Sequence, residues 1–173
     1  EAYRERMKAG GQGSVPLENL TKGMEAPKST AVADPALNVD KAAKAEKFYA
    51  LTEGANWVQI GKKDAPYMYV FINMTCEHCL THWKLLKKYV DDGTLALRLV
   101  PFGAVDQNRK LGAALLASPQ PDKLWRDFAS GNAAALTVDG ATDETLKKMD
   151  RNTALFGEFH LRSGPPFSIY RAP

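Results

Sequence analysis

Cysteine is nearly absent from this 173-residue chain, which contains only Cys76 and Cys79. A disulfide between residues so close in sequence constrains the unfolded chain very little, which excludes the scaffold of several disulfides found in small secreted domains. No run of about 18 apolar residues is present, so the sequence predicts no transmembrane helix. The chain also lacks the basic start and apolar centre of a signal peptide; if the protein is exported, we expect its targeting segment to have been removed.

Strong charge of one sign is also missing. The formal net charge is +3, and the lysines and arginines are spread along the whole sequence. Because nucleic-acid binding needs clustered positive charge, this pattern does not favour a nucleic-acid partner. Apolar residues make up 45% of the chain, and 173 residues are enough for one domain with a real core and a modest appendage.

The first 39 residues contain few large apolar side chains and are punctuated by Pro16, Pro27 and Pro35. Such a composition buries too little surface to offset the entropy lost on ordering. We predict a flexible arm, or a remnant N-terminal region, over residues 1–39; an arm that docks on a partner or on the body is the alternative. A linker helix is predicted over 40–56, with Asp40 as its N-cap and Gly54 near its end.

Residues 57–173 are predicted to form an α/β domain. Tyr67–Ile72 is apolar at every position, as expected of a central strand covered by helices on both sides. A helix follows from residue 77, and a second strand over 95–102 completes a βαβ unit with parallel strands. Interrupted helical patterns predict an inserted helical subdomain over about 107–152, followed by a short helix over 153–159 and a third strand over 167–170.

The break between the first strand and its helix carries Cys76, Glu77, His78 and Cys79. Free N–H groups and the helix dipole favour an anion in the first turn of a helix, and therefore the thiolate of Cys76. A thiolate attacks a disulfide, and Cys79, one turn along, attacks the resulting mixed disulfide and releases the product. This two-step exchange needs no cofactor, so the motif predicts thiol–disulfide chemistry.

The two intervening residues are predicted to adjust the redox potential in opposite directions. His78 stabilises a nearby thiolate by hydrogen bonding or charge, whereas Glu77 opposes it by like-charge repulsion. The sequence alone does not decide whether the effect of His78 or that of Glu77 on the thiolate is larger. The strand residue six positions before Cys76 is Val70, so the strand offers no carboxylate beneath the two cysteines.

A metal site is an alternative reading of the same segment. Cys76 and Cys79 with His78 or His82 have donor types that hold zinc or copper. A closed structural site usually draws its second pair of ligands from a separate segment, and the sequence offers no such pair. We therefore assign no metal ligand here.

The order of these motifs resembles the DsbG and DsbC group of periplasmic thiol–disulfide isomerases and reductases, which have the thioredoxin fold, and DsbG in particular. The resemblance covers about residues 40–170. It is carried by several short matches in order: Trp57, Gly61-Lys62-Lys63-Asp64-Ala65-Pro66, Tyr69-Val70-Phe71, Cys76, Cys79, Trp83, Leu116-Ala117-Ser118 and Lys123-Leu124-Trp125.

The resemblance implies a role for each matching residue. Cys76 would be the exposed nucleophile and Cys79 the buried resolving cysteine, with Glu77 and His78 between them in the catalytic motif. Pro166 would be the cis-proline beside the active site. Thr75, Pro165 and Pro166 would contact substrate. The family usually has threonine where this chain has Pro165, so one backbone donor and one hydroxyl are missing there.

Two further departures from the family affect the prediction. Its β-rich dimerisation domain is not recognisable in residues 1–39, and the strand and helix that normally follow the cis-proline strand are not recognisable before Pro173. We therefore expect a homodimer only if an N-terminal domain exists outside this chain.

The resulting prediction is an enzyme, a periplasmic thiol–disulfide oxidoreductase without a cofactor that acts on protein disulfides as isomerase, reductase or oxidase. Its expected partners are cysteine-containing proteins and a membrane-bound redox protein of the DsbD or DsbB kind. The alternative is a thioredoxin-like binding module of a secretion or conjugation assembly, with Cys76 and Cys79 in a structural disulfide.

Overall fold

A computed structural model describes residues 35–159 and 164–171. Its main elements in chain order are α1 (Pro35–Glu53), β1 (Val58–Ile60), β2 (Tyr67–Ile72), α2 (Glu77–Asp91), β3 (Ala96–Pro101), α3 (Asp106–Ala117), α4 (Pro121–Ala129), α5 (Asp143–Glu158) and β4 (Phe167–Ile169). Two short 3-10 helices, Ala133–Ala135 and Val138–Gly140, connect α4 to α5. None of the described helices is long and apolar enough to cross a membrane.

The four strands form one sheet in the order β1-β3-β2-β4. β2 and β3 are parallel, with Tyr67 opposite Ala96 and Ile72 opposite Pro101. This confirms the predicted parallel pair. β1 pairs antiparallel with β3, and β4 pairs antiparallel with β2. The predicted α/β class is thus confirmed.

Strand β2 is buried on both faces, and its side chains divide between two apolar clusters. Val70 and Ile72 belong to the first cluster, with Cys79, Trp83 and Trp125 among its members. Tyr69 and Phe71 point the other way, as successive strand residues must, into a second cluster rich in aromatic rings. The domain therefore has a core on each side of its central strand.

Helix α1 covers the aromatic side of the sheet. The Phe48 ring lies 5.4 Å from that of Phe71, 4.2 Å from that of Phe159 and 5.6 Å from that of Phe167. Thr52, fully buried, donates its hydroxyl to the Phe48 carbonyl within the helix. The C-terminal half of the linker helix is therefore packed as part of the domain.

The start of this helix was predicted wrongly. It begins at Pro35, so Asp40 lies inside it and residues 35–39 are helical instead of belonging to the arm. Proline suits the first helical turn because the N–H it lacks would have no partner there. The rest of the predicted arm, residues 1–34, lies outside the described residues.

The end of the helical subdomain also differs from the prediction. Helix α5 runs unbroken to Glu158, where the sequence suggested one helix ending near residue 152 and another from 153 to 159. Thr153 donates its hydroxyl to the Met149 carbonyl inside the helix. The buried Asn152 side chain donates to the Asn56 and Pro101 carbonyls outside it. Both polar residues therefore leave the helix intact.

Replacing Phe48 tests how much the packing of α1 contributes. Phe48 is 3% exposed, whereas Leu51 on the same helix is 40% exposed. We expect Phe48→Ala to lower the free energy of unfolding by about 3–5 kcal/mol through the cavity it leaves. Leu51→Ala is the control and is expected to change it by less than about 1 kcal/mol. Urea unfolding measures both, and equal losses would contradict the docking of α1 through Phe48.

Candidate active site

Cys76 caps the N-terminus of α2 at the end of the loop that follows β2. Its backbone is extended, with φ −95° and ψ 115°, and its carbonyl accepts from the Cys79 N–H at 3.1 Å and the Leu80 N–H at 3.4 Å. Its side chain is half-buried. The thiol thus lies beside the free N–H groups of the first helical turn, which favour an anion.

The loop before Cys76 is held by hydrogen bonds to Asn73. The Asn73 carbonyl accepts from the Cys76 N–H at 3.2 Å. Its side-chain oxygen accepts from the Thr75 N–H at 3.0 Å and from the Thr75 hydroxyl at 2.8 Å. Such local turns fix the backbone of a short loop, so the approach to the nucleophile is ordered by its own sequence.

Asn108, on α3, ties this loop to the neighbouring strand, and the sequence reasoning missed it. Its side-chain oxygen accepts from the Met74 N–H at 2.5 Å, and its amide donates to the Phe102 carbonyl at 2.8 Å. The residue is 0% exposed. A lone asparagine in a helix gives no sequence signal of such a role, because its partners are supplied by other elements.

The peptide bond between Pro165 and Pro166 is cis, and this turn lies next to Cys76. The Cys76 thiol donates to the Pro165 carbonyl across 3.6 Å. Two segments 89 residues apart therefore meet at the sulfur. Pro166 is thus the cis residue, as the family resemblance implies; its role in substrate binding stays a prediction.

Cys79 is in a different environment from Cys76, although it lies on the next turn. It is 2% exposed and belongs to the first apolar cluster. Burial raises the pKa of the Cys79 thiol to about 12, partly offset by the Asn73 backbone and reinforced by the neighbouring Cys76. Both cysteines are free thiols in this structure. The pair therefore consists of one accessible and one buried sulfur.

The remaining predicted site residues divide into two groups. Glu77, His78 and Thr75 are exposed on the helix start and the loop before it. Pro165 and Pro166 are half-buried beside Cys76. No described contact of the Glu77 or His78 side chains shows which of them influences the thiol more, so both assignments stay predictions.

His82, weighed above as a metal ligand, has a different partner. Its Nε2 lies 3.1 Å from the hydroxyl of Ser168 on β4, and burial lowers its pKa. Within residues 35–159 and 164–171, no cluster of three or more His, Cys, Asp or Glu side chains is suited to a metal ion. The His82–Ser168 contact instead joins the active-site helix to the strand that follows the cis-proline turn.

The raised pKa of Cys79 predicts selective labelling of the reduced protein. With iodoacetamide at pH 8, we expect carbamidomethylation of Cys76 and almost none of Cys79, because the reactive species is the thiolate. In Cys76→Ser, labelling of Cys79 should become appreciable only well above pH 9, since burial is the main cause of its shift. Peptide mass spectrometry measures both, and equal labelling of the two sulfurs at pH 8 would contradict this assignment.

Asn108→Ala tests the connection between the active-site loop and α3. It leaves the buried Met74 N–H and Phe102 carbonyl without their partner, at a cost of about 1–3 kcal/mol for each group. We therefore expect the free energy of unfolding to fall by about 2–6 kcal/mol and hydrogen exchange at the Met74 amide to accelerate. The control is Asn132→Ala, at an exposed position, with an expected change within about 0.5 kcal/mol. An unchanged Met74 exchange rate would argue against this role.

Known proteins with related sequences are DsbG proteins. The chain is 34% identical over 110 residues to the thiol:disulfide interchange protein DsbG of Escherichia coli. The aligned region covers 61% of this chain and 44% of that protein. It is 30% identical over 93 residues to DsbG of Pseudomonas aeruginosa, covering 53% of this chain and 36% of the relative. The chain thus spans less than half the length of these curated relatives. No protein-family model matches it.

The fold has solved counterparts. The catalytic domain of Proteus mirabilis ScsC superposes with a TM-score of 0.58 at 22% identity, over 75% of this chain and 85% of that domain. At this identity the likeness establishes the fold alone, and it confirms the predicted thioredoxin-like architecture. The two DsbG relatives, together with this fold, show that the chain is similar in sequence to DsbG proteins and has a thioredoxin-like fold.

Proposed function

We propose that the protein is an enzyme, a thiol–disulfide oxidoreductase that acts on protein disulfides through Cys76 and Cys79. The observation that carries the proposal is the asymmetry of the two thiols. Cys76 is partly accessible at a helix N-terminus and contacts the cis-proline turn, whereas Cys79 is buried with a raised pKa. The relatives' name, thiol:disulfide interchange protein, supports the same chemistry.

The reaction divides into two exchanges. The Cys76 thiolate attacks a substrate disulfide, forming a mixed disulfide and releasing one substrate thiolate. Cys79 then loses its proton and attacks the Cys76 sulfur, which closes the Cys76–Cys79 disulfide and releases the second thiolate. The substrate gains two electrons and the protein loses them. In the reverse direction the protein disulfide oxidises a substrate dithiol.

The environment of Cys79 fits the second exchange. In the dithiol form, the neighbouring Cys76 raises the pKa of Cys79 both by hydrogen bonding and by charge. Once the Cys76 sulfur is bonded in a mixed disulfide, those two effects disappear, and only burial and the opposing Asn73 backbone hydrogen bond remain. The Cys79 thiol therefore stays protonated in the dithiol form and loses its proton more readily once the mixed disulfide has formed.

The substrate backbone is proposed to approach the Pro165–Pro166 turn and Thr75, the exposed residue before Cys76. Pro165 offers a carbonyl and, as a proline, no N–H. That carbonyl accepts from the Cys76 thiol in this structure. An incoming substrate N–H would take the place of the thiol donor, so substrate binding and release of the Cys76 proton are coupled.

The direction of electron flow is proposed to depend on Glu77 and His78, which lie exposed beside Cys76. The family likeness supports a periplasmic location, cysteine-containing protein substrates and exchange with a membrane-bound redox protein of the DsbD or DsbB kind. A homodimer is expected only if an N-terminal domain exists outside this chain, because the isomerases of this family act as dimers.

Activity assays on two cysteine variants test the function. We expect the protein to accelerate insulin reduction and the refolding of scrambled ribonuclease, and Cys76→Ser to abolish both activities because the nucleophile is lost. Cys79→Ser should instead accumulate mixed disulfides with substrate, visible by non-reducing electrophoresis. Equal activity of the protein and Cys76→Ser would refute the proposal. A reduction potential below about −300 mV would favour a structural disulfide in a binding module.

A further inference from the structure

The face of α2 that carries Cys76 continues into a groove. Residues four apart share a helix face, so Leu80 and Lys84 follow Cys76 along one stripe. A cavity of 320 Å³ opens beside this stripe, between α2 and the C-terminal end of α4. We call it the Leu80 groove. Its lining from α2 is Leu80, Trp83, Lys84 and Lys87.

The walls of the Leu80 groove combine apolar surface with positive charge. Leu80 is half-buried and Trp83 is buried, and the Arg126 guanidinium lies 5.5 Å from the centre of a Trp83 ring. Three cations, Lys84, Lys87 and Arg126, line the cavity, and no carboxylate is among the described lining residues.

The three cations are not equally available. Lys87 and Arg126 both contact Asp91, and Arg126 also contacts Asp122. Lys84 is exposed and has no ion pair within the described part of the chain. Its charge is therefore available to a ligand, and it lies two turns beyond Cys76, about 80° further around the helix.

The Leu80 groove is separate from the cis-proline turn. At 100° per residue, His82 lies about 200° around the helix from Leu80, and His82 contacts Ser168 on β4. The groove therefore opens away from β4 and from the Pro165–Pro166 turn. A substrate held at Cys76 meets two different surfaces, one on each side of α2.

The distance along the helix sets the length of the ligand. Lys84 lies eight residues after Cys76, or about 12 Å at 1.5 Å per residue. An extended peptide covers that distance in about four residues. A carboxylate about four positions from the reactive cysteine would reach Lys84, and an apolar side chain beside it would enter the groove.

We propose, on the basis of the function proposed above, that the Leu80 groove selects substrate segments with an apolar and an acidic residue three to four positions from the attacked cysteine. The apolar side chain packs against Leu80 and Trp83, and the acidic one pairs with Lys84. This gives the enzyme a preference for acidic, partly apolar segments around the disulfide.

Two synthetic peptides test the preference directly. Each has a central cysteine joined in a disulfide to 5-thio-2-nitrobenzoate. In the first peptide, Leu and Glu occupy the third and fourth positions on both sides of this cysteine. In the second peptide, Lys replaces Glu. Attack by the Cys76 thiolate releases coloured 5-thio-2-nitrobenzoate and joins the peptide to Cys76, and Cys79 then releases the peptide thiol. The second-order rate is measured by absorbance, and each variant's rate is divided by its rate with neutral 2,2′-dipyridyl disulfide.

We expect the protein to react about fivefold faster with the Glu peptide than with the Lys peptide at low salt, because Lys84 attracts the Glu carboxylate of the first peptide and repels the Lys ammonium group of the second. In Lys84→Glu this preference should disappear or invert, whereas the matched control Lys147→Glu, at an exposed lysine of α5 with no ion pair among the described residues, should keep it. No preference, or equal loss in the two variants, would overturn the proposal. Failure to react with dipyridyl disulfide at all would refute the proposed function instead.

Discussion

Burial of strand β2 on both faces is the constraint on which the rest of this structure depends. Val70 and Ile72 fill one core while Tyr69 and Phe71 fill the other, so a slip of one residue would exchange the two sets. The register of β2 thus fixes where the strand ends and therefore where Cys76 caps the N-terminus of α2. Helices on both sides of the sheet then follow as the cover that such a strand requires.

The chemical difference between the two cysteines follows from helix geometry. Cys76 is the cap residue, outside the first turn and beside its free N–H groups. Cys79 is three residues further, on the face of α2 that packs against the first cluster. One turn of helix thus separates a partly accessible sulfur from one that burial keeps protonated. Neither environment needs a charged residue beneath the pair, and Val70 provides none.

Local sequence patterns predicted the parts of the fold that depend on local causes. The apolar run at Tyr67–Ile72, the helix predicted from residue 77 and the second strand predicted over 95–102 were sufficient for the βαβ unit. Pro35 is a local signal for the start of α1, whereas the unbroken course of α5 was not predictable in this way. Whether α5 continues past residue 152 depends on the partners of the Asn152 side-chain amide. Both of its acceptors, the Asn56 and Pro101 carbonyls, lie in segments distant in sequence. Asn108 is a similar case, since Met74 is 34 residues away.

The site itself was partly predictable for the same reason. The Cys-x-x-Cys motif is local, and the family resemblance supplied the cis-proline turn, but the contact between His82 and Ser168 joins residues 86 positions apart and has no sequence signature. Proline at residue 165 gives this turn a carbonyl acceptor and no donor. If a substrate backbone binds there as proposed, its recognition is one-sided, and selectivity would have to come from side-chain contacts elsewhere around Cys76. The opposite face of α2, where Lys84 has no ion pair among the described residues, is the surface with the chemistry to provide them.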